Sequence, residues 1–373
     1  MKIGILTYHR AENYGAVLQA YALLTYLRSL GHEVSFVDYW PQYHQDYFKL
    51  YSWSEFKRNG IKGKLGFIIR RTLWFVPRFV RKKRFGEFMH EKLELPKEVE
   101  YDDSTSKTKD YDVVVYGSDQ IWRKQNLGGV GFDSWYFGSD NICTPKRITY
   151  AASMGSINST PDDDAYVKKM MANFNSISVR EADLRDYLKQ LGVQSQLVID
   201  PVFLLSKNQW QTLFEQKKEK GRYILFYNLL NSPESKNFAE RLSQDTGLSI
   251  KELNKKMSLN PTHFGQRYIS TAKVGSFLQM INDAEYVVSN SFHGVAFSVI
   301  FKKQFFAVGM RQKANRVVSL LDSVGISERY ISDYNATSAV YMPPINYSEV
   351  NEKLRSLIGN SEQYLIKALK NEI

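Results

Sequence analysis

The residues best placed to do chemistry in this 373-residue chain sit in short polar segments that follow apolar runs. Ser289-Asn290-Ser291-Phe292-His293-Gly294 separates a β-branched run ending at Val288 from an apolar helix-forming stretch, residues 295–301. A helix start offers free N–H groups and partial positive charge, so it attracts anions. A histidine there can donate to a phosphate or exchange a proton near neutral pH. The same pattern also describes capping Ser and Asn residues beside a histidine satisfied by backbone. Ser178-Val179-Arg180-Glu181 sets a guanidinium at the end of another short run, where its planar fork suits a carboxylate or phosphate. An exposed Arg180–Glu181 pair of little energetic weight fits that spacing equally. The segment from His9 to Gly15 is dense in hydrogen-bonding groups, suited to a polyhydroxylated ligand, with Asn13 alternatively a helix cap. Gly117-Ser118-Asp119-Gln120-Ile121-Trp122 puts a carboxylate beside an indole, a pairing that sugar sites favour and that a turn aspartate and a core tryptophan share.

Other apparent motifs lead nowhere. Gly129-Val130-Gly131 meets Ser134 where a dinucleotide loop needs a third glycine. Asp162-Asp163-Asp164 follows Thr160 and Pro161, which reads as an N-cap, a first helical residue and first-turn acids rather than a metal triplet. His32, His44, His90 and His263 have no ligand-spaced companions, and Cys143 has no adjacent base. The expectation is therefore no metal and no cofactor.

The elements that must position these segments alternate as strand and helix. Residues 3–7, a helix over about 15–30 ended by Gly31, and residues 34–38 form a right-handed βαβ unit. Strands follow at 113–116, 148–152, 176–179 and 197–200, each running into a polar turn. A seam falls after Asp200-Pro201, and the alternation restarts at Tyr223 after a Lys-rich stretch, 217–220. The reading is α/β, with two Rossmann-like βα domains facing a cleft: residues 1–205 with a basic insertion at about 50–90, residues 206–345, and a helix in 346–373 that crosses back to brace the domains. Ligands of such sheets lie outside the carboxyl ends of strands, which is where the candidate segments fall.

Composition narrows the setting. With 22 Gly, 10 Pro and 52 Phe, Trp and Tyr residues the chain is neither collagenous nor disordered. A single cysteine cannot form an internal disulfide, and MKIGILTYHR turns polar too early for a secretory leader; both point to the cytosol. The net charge of +11 resides in residues 57–84, which hold eleven Lys or Arg and no acid. Aromatic and aliphatic residues interleave there, the composition of a segment lying on an anionic membrane surface, such as the inner face of the cytoplasmic membrane. A solvated basic helical face has the same composition. No nucleic-acid-binding signature accompanies it.

Taken in order, Asn13-Tyr14-Gly15-Ala16-Val17-Leu18-Gln19-Ala20-Tyr21, Gly117 to Trp122, Ser178 to Glu181, Asp200-Pro201 and Ser291 to Gly294 resemble the polysaccharide pyruvyl transferase family over essentially the whole chain. The resemblance implies a GT-B-like fold and a metal-independent reaction. In it, phosphoenolpyruvate, as substrate rather than cofactor, gives a pyruvate ketal to two hydroxyls of a sugar in a surface polysaccharide or its lipid-linked precursor. It implies His293 as catalytic acid/base and Arg180 as a catalytic clamp on the donor, with Asn290, Ser291 and Gly294 beside the donor and Asn13, Tyr14, Gly15, Asp119 and Trp122 toward the acceptor. Several relatives carry an Arg where this chain has Ser291; Arg316, or Arg311, can supply the missing cation. A nucleotide-sugar glycosyltransferase and a non-catalytic glycan-binding member of an assembly system are the competing readings.

Overall fold

The computed structural model describes residues 1–50, 72, 75–125, 130–215, 222–254, 268–310, 314–333 and 342–372. Most of the basic insertion, the Lys-rich stretch at 217–220 and Arg311 lie outside them.

In the N-terminal sheet, β1 (Lys2–Leu6), β2 (Glu33–Phe36), β3 (Val113–Tyr116) and β4 (Arg147–Thr149) run parallel in the order β2-β1-β3-β4. Ile3 pairs with Val34 on one side and with Val113 on the other. The two-stranded parallel pair β5 (Ser178–Val179) and β6 (Gln196–Leu197) continues the layer through bridges from Ile148 to Ser176 and from Ala152 to Val179. Every residue of β3 is buried, as a parallel strand covered on both faces requires. Helices α1 (Tyr14–Ser29), α2 (Gln42–Phe48), α3 (Phe75–Lys92), α4 (Pro161–Met171) and α5 (Ala182–Gln190) belong to this half. Thr160 and Asp163 form a capping box at α4, and Lys124 donates to both Asp163 oxygens, so the acids of that triplet serve the helix start.

After α6 (Lys207–Gln211) the second sheet is parallel throughout. Its strands are β7 (Tyr223–Tyr227), β8 (Ser249–Leu253), β9 (Tyr268–Ile269), β10 (Tyr286–Ser289), β11 (Gln304–Val308) and β12 (Tyr330–Ile331), in the order β12-β11-β10-β7-β8-β9. Counted within the domain this is 3-2-1-4-5-6, the doubly wound Rossmann order, with the reversal between β7 and β10. The N-terminal order reverses between β1 and β3. Helices α7 (Pro233–Thr246), α8 (Val274–Asp283), α9 (Phe292–Ile300), α10 (Ala314–Val324) and α11 (Tyr347–Lys370) complete the chain. The two domains thus reproduce the expected GT-B-like pair of Rossmann-like units.

One apolar core runs through the seam between them, including Tyr14, Trp210, Tyr227, Phe277 and Phe297. The Tyr14 ring stacks on Phe277 at 4.5 Å and its hydroxyl donates to Ala272 O at 2.7 Å. Helix α3 clamps the same seam: Arg81 donates to Glu12 O and Ser270 O, and Arg84 to Thr271 O. Helix α11 returns to the first domain, where the Tyr364 hydroxyl donates to Thr149 O and Ile199 N–H donates to Ser361 Oγ.

Candidate active site

The carboxyl ends of β1, β3, β5 and β6 converge on one polar cluster. Gln19, on α1, donates to Thr7 Oγ1 and accepts from Ser118 N–H, while Thr7 Oγ1 donates to Ser118 O at 2.7 Å. These bonds fix the turn after β3 and hold Asp119 at φ +74°, in the left-handed region, a backbone cost that functional turns often carry. Arg180 is enclosed by it: Nη1 donates to Asp200 Oδ2 at 2.6 Å and to Ser118 Oγ at 3.2 Å, Nε to Glu181 Oε1 at 2.8 Å, and Nη2 lies 3.5 Å from Asp119 Oδ1. Asp200 also accepts from Val202 N–H, capping the short helix that follows.

From the second domain comes the start of α9. The chain leaves β10, Ser291 takes the N-cap position without a side-chain cap bond, and Val295 N–H to Ser291 O closes the first turn. The N–H groups of Phe292, His293 and Gly294 precede that bond, so they have no intrahelical acceptor. His293, 7 % exposed, reaches across the seam. Its Nε2 sits 3.9 Å from Asp200 Oδ2 and makes no hydrogen bond. Helix α1 lies against the ring, because a Cβ at Gly15 would stand 2.0 Å from His293 Nδ1. Glycine there lets the two helix starts meet. At Gly294 a Cβ would strike Ser289 Oγ at 2.3 Å, so that glycine brings α9 close to its own strand.

Charge is unevenly satisfied in this cluster. Burial works against the Arg180 cation, but Glu181, Asp200 and Asp119 hold its pKa above the ordinary value. Burial likewise works against the Asp119 carboxylate, and Arg180 with the other basic neighbours holds it below the usual range. At Glu181 burial prevails over the pull of Arg180 and Arg316, and the carboxyl pKa is raised. His293 is pushed down to about 4 by burial, the Asp200 and Asp119 carboxylates opposing and the two arginines assisting, so the imidazole is neutral at pH 7. Arg316, at the start of α10, has no hydrogen-bond or ion-pair partner among the described residues; its guanidinium lies 5.9 Å from the Phe292 ring, with Arg180 5.0 Å from the same ring. Burial and the Arg180 charge both lower its pKa. The cluster therefore contains one saturated guanidinium, one unsatisfied guanidinium, a neutral imidazole with a free nitrogen, and uncapped helix N–H groups. That set can receive a small anion and pass a proton beside it.

The structure brings together Arg180, His293, Asp119 and Arg316, with Gly15 and Gly294 as the close contacts that permit it. Other expected residues face elsewhere. Trp122 is fully enclosed and donates its indole N–H to Tyr136 O. Tyr14 is committed to the interdomain core, and Asn13 caps α1 by accepting from Gly15 N–H. Asn290 is occupied on both sides, accepting from Leu229 and Leu230 N–H and donating to Asn228 and Ser235. Apolar burial and cap geometry claim these four, so they shape the site rather than line it. The pairing expected at Arg180 is with Glu181, yet its shortest bond goes to Asp200, a residue that sequence reading did not assign to the site; its place at a strand end before a proline was the available signal.

A family model described as polysaccharide pyruvyl transferase matches residues 13–311. Comparison with curated proteins gives no match. Among solved structures, the chain is similar to a putative UDP-N-acetylglucosamine 2-epimerase from Listeria monocytogenes (9 % identity, TM-score 0.46, covering 99 % of this chain and 90 % of that one). It is also similar to the UDP-GlcNAc 2-epimerase from Neisseria meningitidis (9 %, 0.45, 99 % and 94 %) and to the glycosyltransferase SnogD from Streptomyces nogalater (11 %, 0.36, 98 % and 99 %).

Proposed function

The chain belongs to the polysaccharide pyruvyl transferase family, and from that premise we propose that it moves the pyruvyl group of phosphoenolpyruvate onto two hydroxyls of one sugar, in a surface polysaccharide or its lipid-linked precursor, as a ketal. The observation that carries this reading is the juxtaposition of a free His293 Nε2 with the unpartnered Arg316 guanidinium at an uncapped helix start. Arg316 and the N–H groups of α9 receive the donor's phosphate and carboxylate. Arg180, held by its carboxylates, acts as a fixed positive pole rather than a mobile clamp.

The donor's methylene carbon must gain a proton, and the first sugar hydroxyl adds to the neighbouring carbon as it loses its own. Phosphate then departs with its electron pair, and the second hydroxyl closes the ketal. Over the cycle two hydroxyl protons are lost, one ending on the new methyl group and one on inorganic phosphate. His293 is neutral before the donor arrives. The donor's negative charge raises its proton affinity, so the imidazole takes a proton with the anion and delivers it to the methylene carbon. Arginines, helix N–H groups and the protonated His293 supply the positive charge in this scheme, which uses no metal ion.

No helix among the described residues is long and apolar enough to cross a membrane. Helix α3 suits contact with one instead. Arg81, Phe85, Phe88 and Met89 face inward, while Phe75, Val76 and Phe79, 37–65 % exposed, point outward with Lys82 and Lys83. Such a face binds anionic lipid surfaces. That face supports a reading in which the protein works at the inner face of the cytoplasmic membrane on a lipid-linked acceptor.

The reading is tested by thermal shift with phosphoenolpyruvate against uridine diphosphate, followed by phosphate release with a panel of glycans. Selective stabilisation by phosphoenolpyruvate supports it, since a ligand of the native state raises stability by mass action. Stabilisation by the nucleotide alone, with no phosphate release, replaces it with the glycosyltransferase reading.

A further inference from the structure

A second group of side chains lies at the carboxyl edge of the first sheet, near enough to Asp119 for its charge to act on Tyr8 and His44. Tyr8 follows β1, next to the point where the strand order reverses, and Trp40 to His44 follow the neighbouring edge strand β2. The His44 ring lies 4.8 Å from Tyr8, 4.4 Å from Tyr43 and 4.8 Å from Trp40. Tyr8 meets the fully buried Tyr136 edge-on at 5.2 Å. Trp40 and Tyr136 back the wall, whereas Tyr8, Tyr43 and His44 each keep part of their surface open.

Two polar features of this wall are unmet. His44 Nδ1 is buried without a hydrogen-bond partner, although the ring around it is packed on three sides. Asp119 spends only Oδ1 on Gln120 N–H and Arg180, and Oδ2 has no partner among the described residues. The Asp119 charge acts on Tyr8, on His44 and on His293, so this carboxylate lies near both groups. The surrounding charge is largely acidic: Asp103 and Asp133 accept from Tyr39 and Tyr43 hydroxyls behind the wall, Arg123 is exposed, and Arg180 beside Asp119 is bound to Glu181 and Asp200. An aromatic wall with an orphan imidazole nitrogen, a free carboxylate oxygen and an acidic backing suits a neutral ring bearing hydroxyls.

We propose that Tyr8, Tyr43 and His44 form a pyranose-binding subsite, in which a neutral sugar ring of the acceptor packs on the aromatic wall and turns its hydroxyls toward His44 Nδ1 and Asp119. The assignment of that sugar as acceptor rests on the pyruvyl-transfer reading; the subsite itself does not. A ring seated there lies beside Asp119, whose charge also acts on His293.

The probes are the methyl glycosides of glucose, galactose, mannose and N-acetylglucosamine, measured by saturation-transfer NMR on the full chain, with phosphoenolpyruvate binding followed separately by thermal shift. At least one pyranoside is expected to be saturated, most strongly at ring C–H protons. His44→Ala and Tyr43→Ala should each weaken its Kd fivefold or more while leaving stabilisation by phosphoenolpyruvate unchanged. Saturation of none of the four, survival of the signal in both variants, or His44-dependent saturation of uridine diphosphate instead would overturn the proposal. Pyranoside binding that depends on His44 without any effect of phosphoenolpyruvate would keep the subsite and remove the pyruvyl-transfer reading.

Discussion

Binding of the donor should change the charge of His293. Without ligand the imidazole is buried and titrates at about 4. In the proposed reaction phosphoenolpyruvate brings phosphate and carboxylate charges to the start of α9, where Arg316 and the helix N–H groups would offset most of them. A single uncompensated negative charge about 4 Å from the ring contributes ~4 kcal/mol at an effective dielectric of about 20. At 1.36 kcal/mol per pH unit this lifts the midpoint by about three units, into the neutral range. The assay is a pH titration of nitrogen-15-labelled histidine side chains by long-range NMR, with and without saturating phosphoenolpyruvate. His293 is assigned by the resonance lost in His293→Gln. A midpoint that rises by two units or more supports proton uptake with the donor. If His293 in the donor complex still titrates below about 5, it cannot be the proton source, and the raised carboxyl of Glu181 becomes the group to examine.

Gly15→Ala pushes a methyl group into the His293 ring, so kcat should fall on the order of 100-fold from misplacement, with a stability loss of about 1–3 kcal/mol from overpacking; unchanged turnover contradicts the geometry. Arg180→Met leaves the buried Glu181 and Asp200 and the half-buried Asp119 without their shared cation and should destabilise by about 3–5 kcal/mol in urea unfolding. Arg316→Gln should keep stability and weaken donor affinity by about 1.5–3 kcal/mol, roughly 10- to 150-fold, and equal effects of the two changes would dissolve the distinction between them. His44 and His293 are both pushed down to about 4 by burial. Between pH 6.5 and 4 the unfolded chain therefore holds more protons than the folded one, and stability falls as pH is lowered, by up to about 2 kcal/mol per histidine on reaching pH 5. His44→Phe should remove about half of that slope in unfolding curves at pH 7 and 5. Val76→Glu with Phe79→Glu should abolish salt-sensitive cosedimentation with phosphatidylserine-containing vesicles; equal binding by parent and variant would return α3 to a solvated face.

The alternation of β-branched runs with helical stretches was legible from residue pattern, because parallel strands buried on both faces leave near-continuous apolar signatures such as Val113-Val114-Val115. The polar turns at strand ends were legible for the same reason: they interrupt those runs where Arg180, Asp119 and His293 stand. Which atoms each side chain would satisfy was not. Trp122 and Tyr14 have the composition of ligand contacts and the burial of core, a difference that depends on residues far away in sequence such as Phe277 and Tyr136. Asn290 and Asn13 were likewise ambiguous between ligand and cap until their acceptors were in view. His44 lies among aromatic neighbours in sequence, but the wall it joins also needs Tyr8 after β1 and Tyr136, which only the fold brings to it. The saturation of Arg180 depends on Asp200, which only the packing of β5 beside β6 brings close.

Helix α11 has a consequence for how this molecule is made. Its Tyr364 hydroxyl bonds Thr149 O at the end of β4, Ser361 Oγ receives Ile199 N–H after β6, and Leu369 O receives the Lys146 ammonium before β4. The edge of the first sheet that carries Arg180 is thus closed by residues translated 162 to 223 positions later than the segments they bond. A ribosome can release the first half of the chain, and a chaperone can shelter it, but its polar cluster stays unbraced until the segment at 347–370 has emerged and docked.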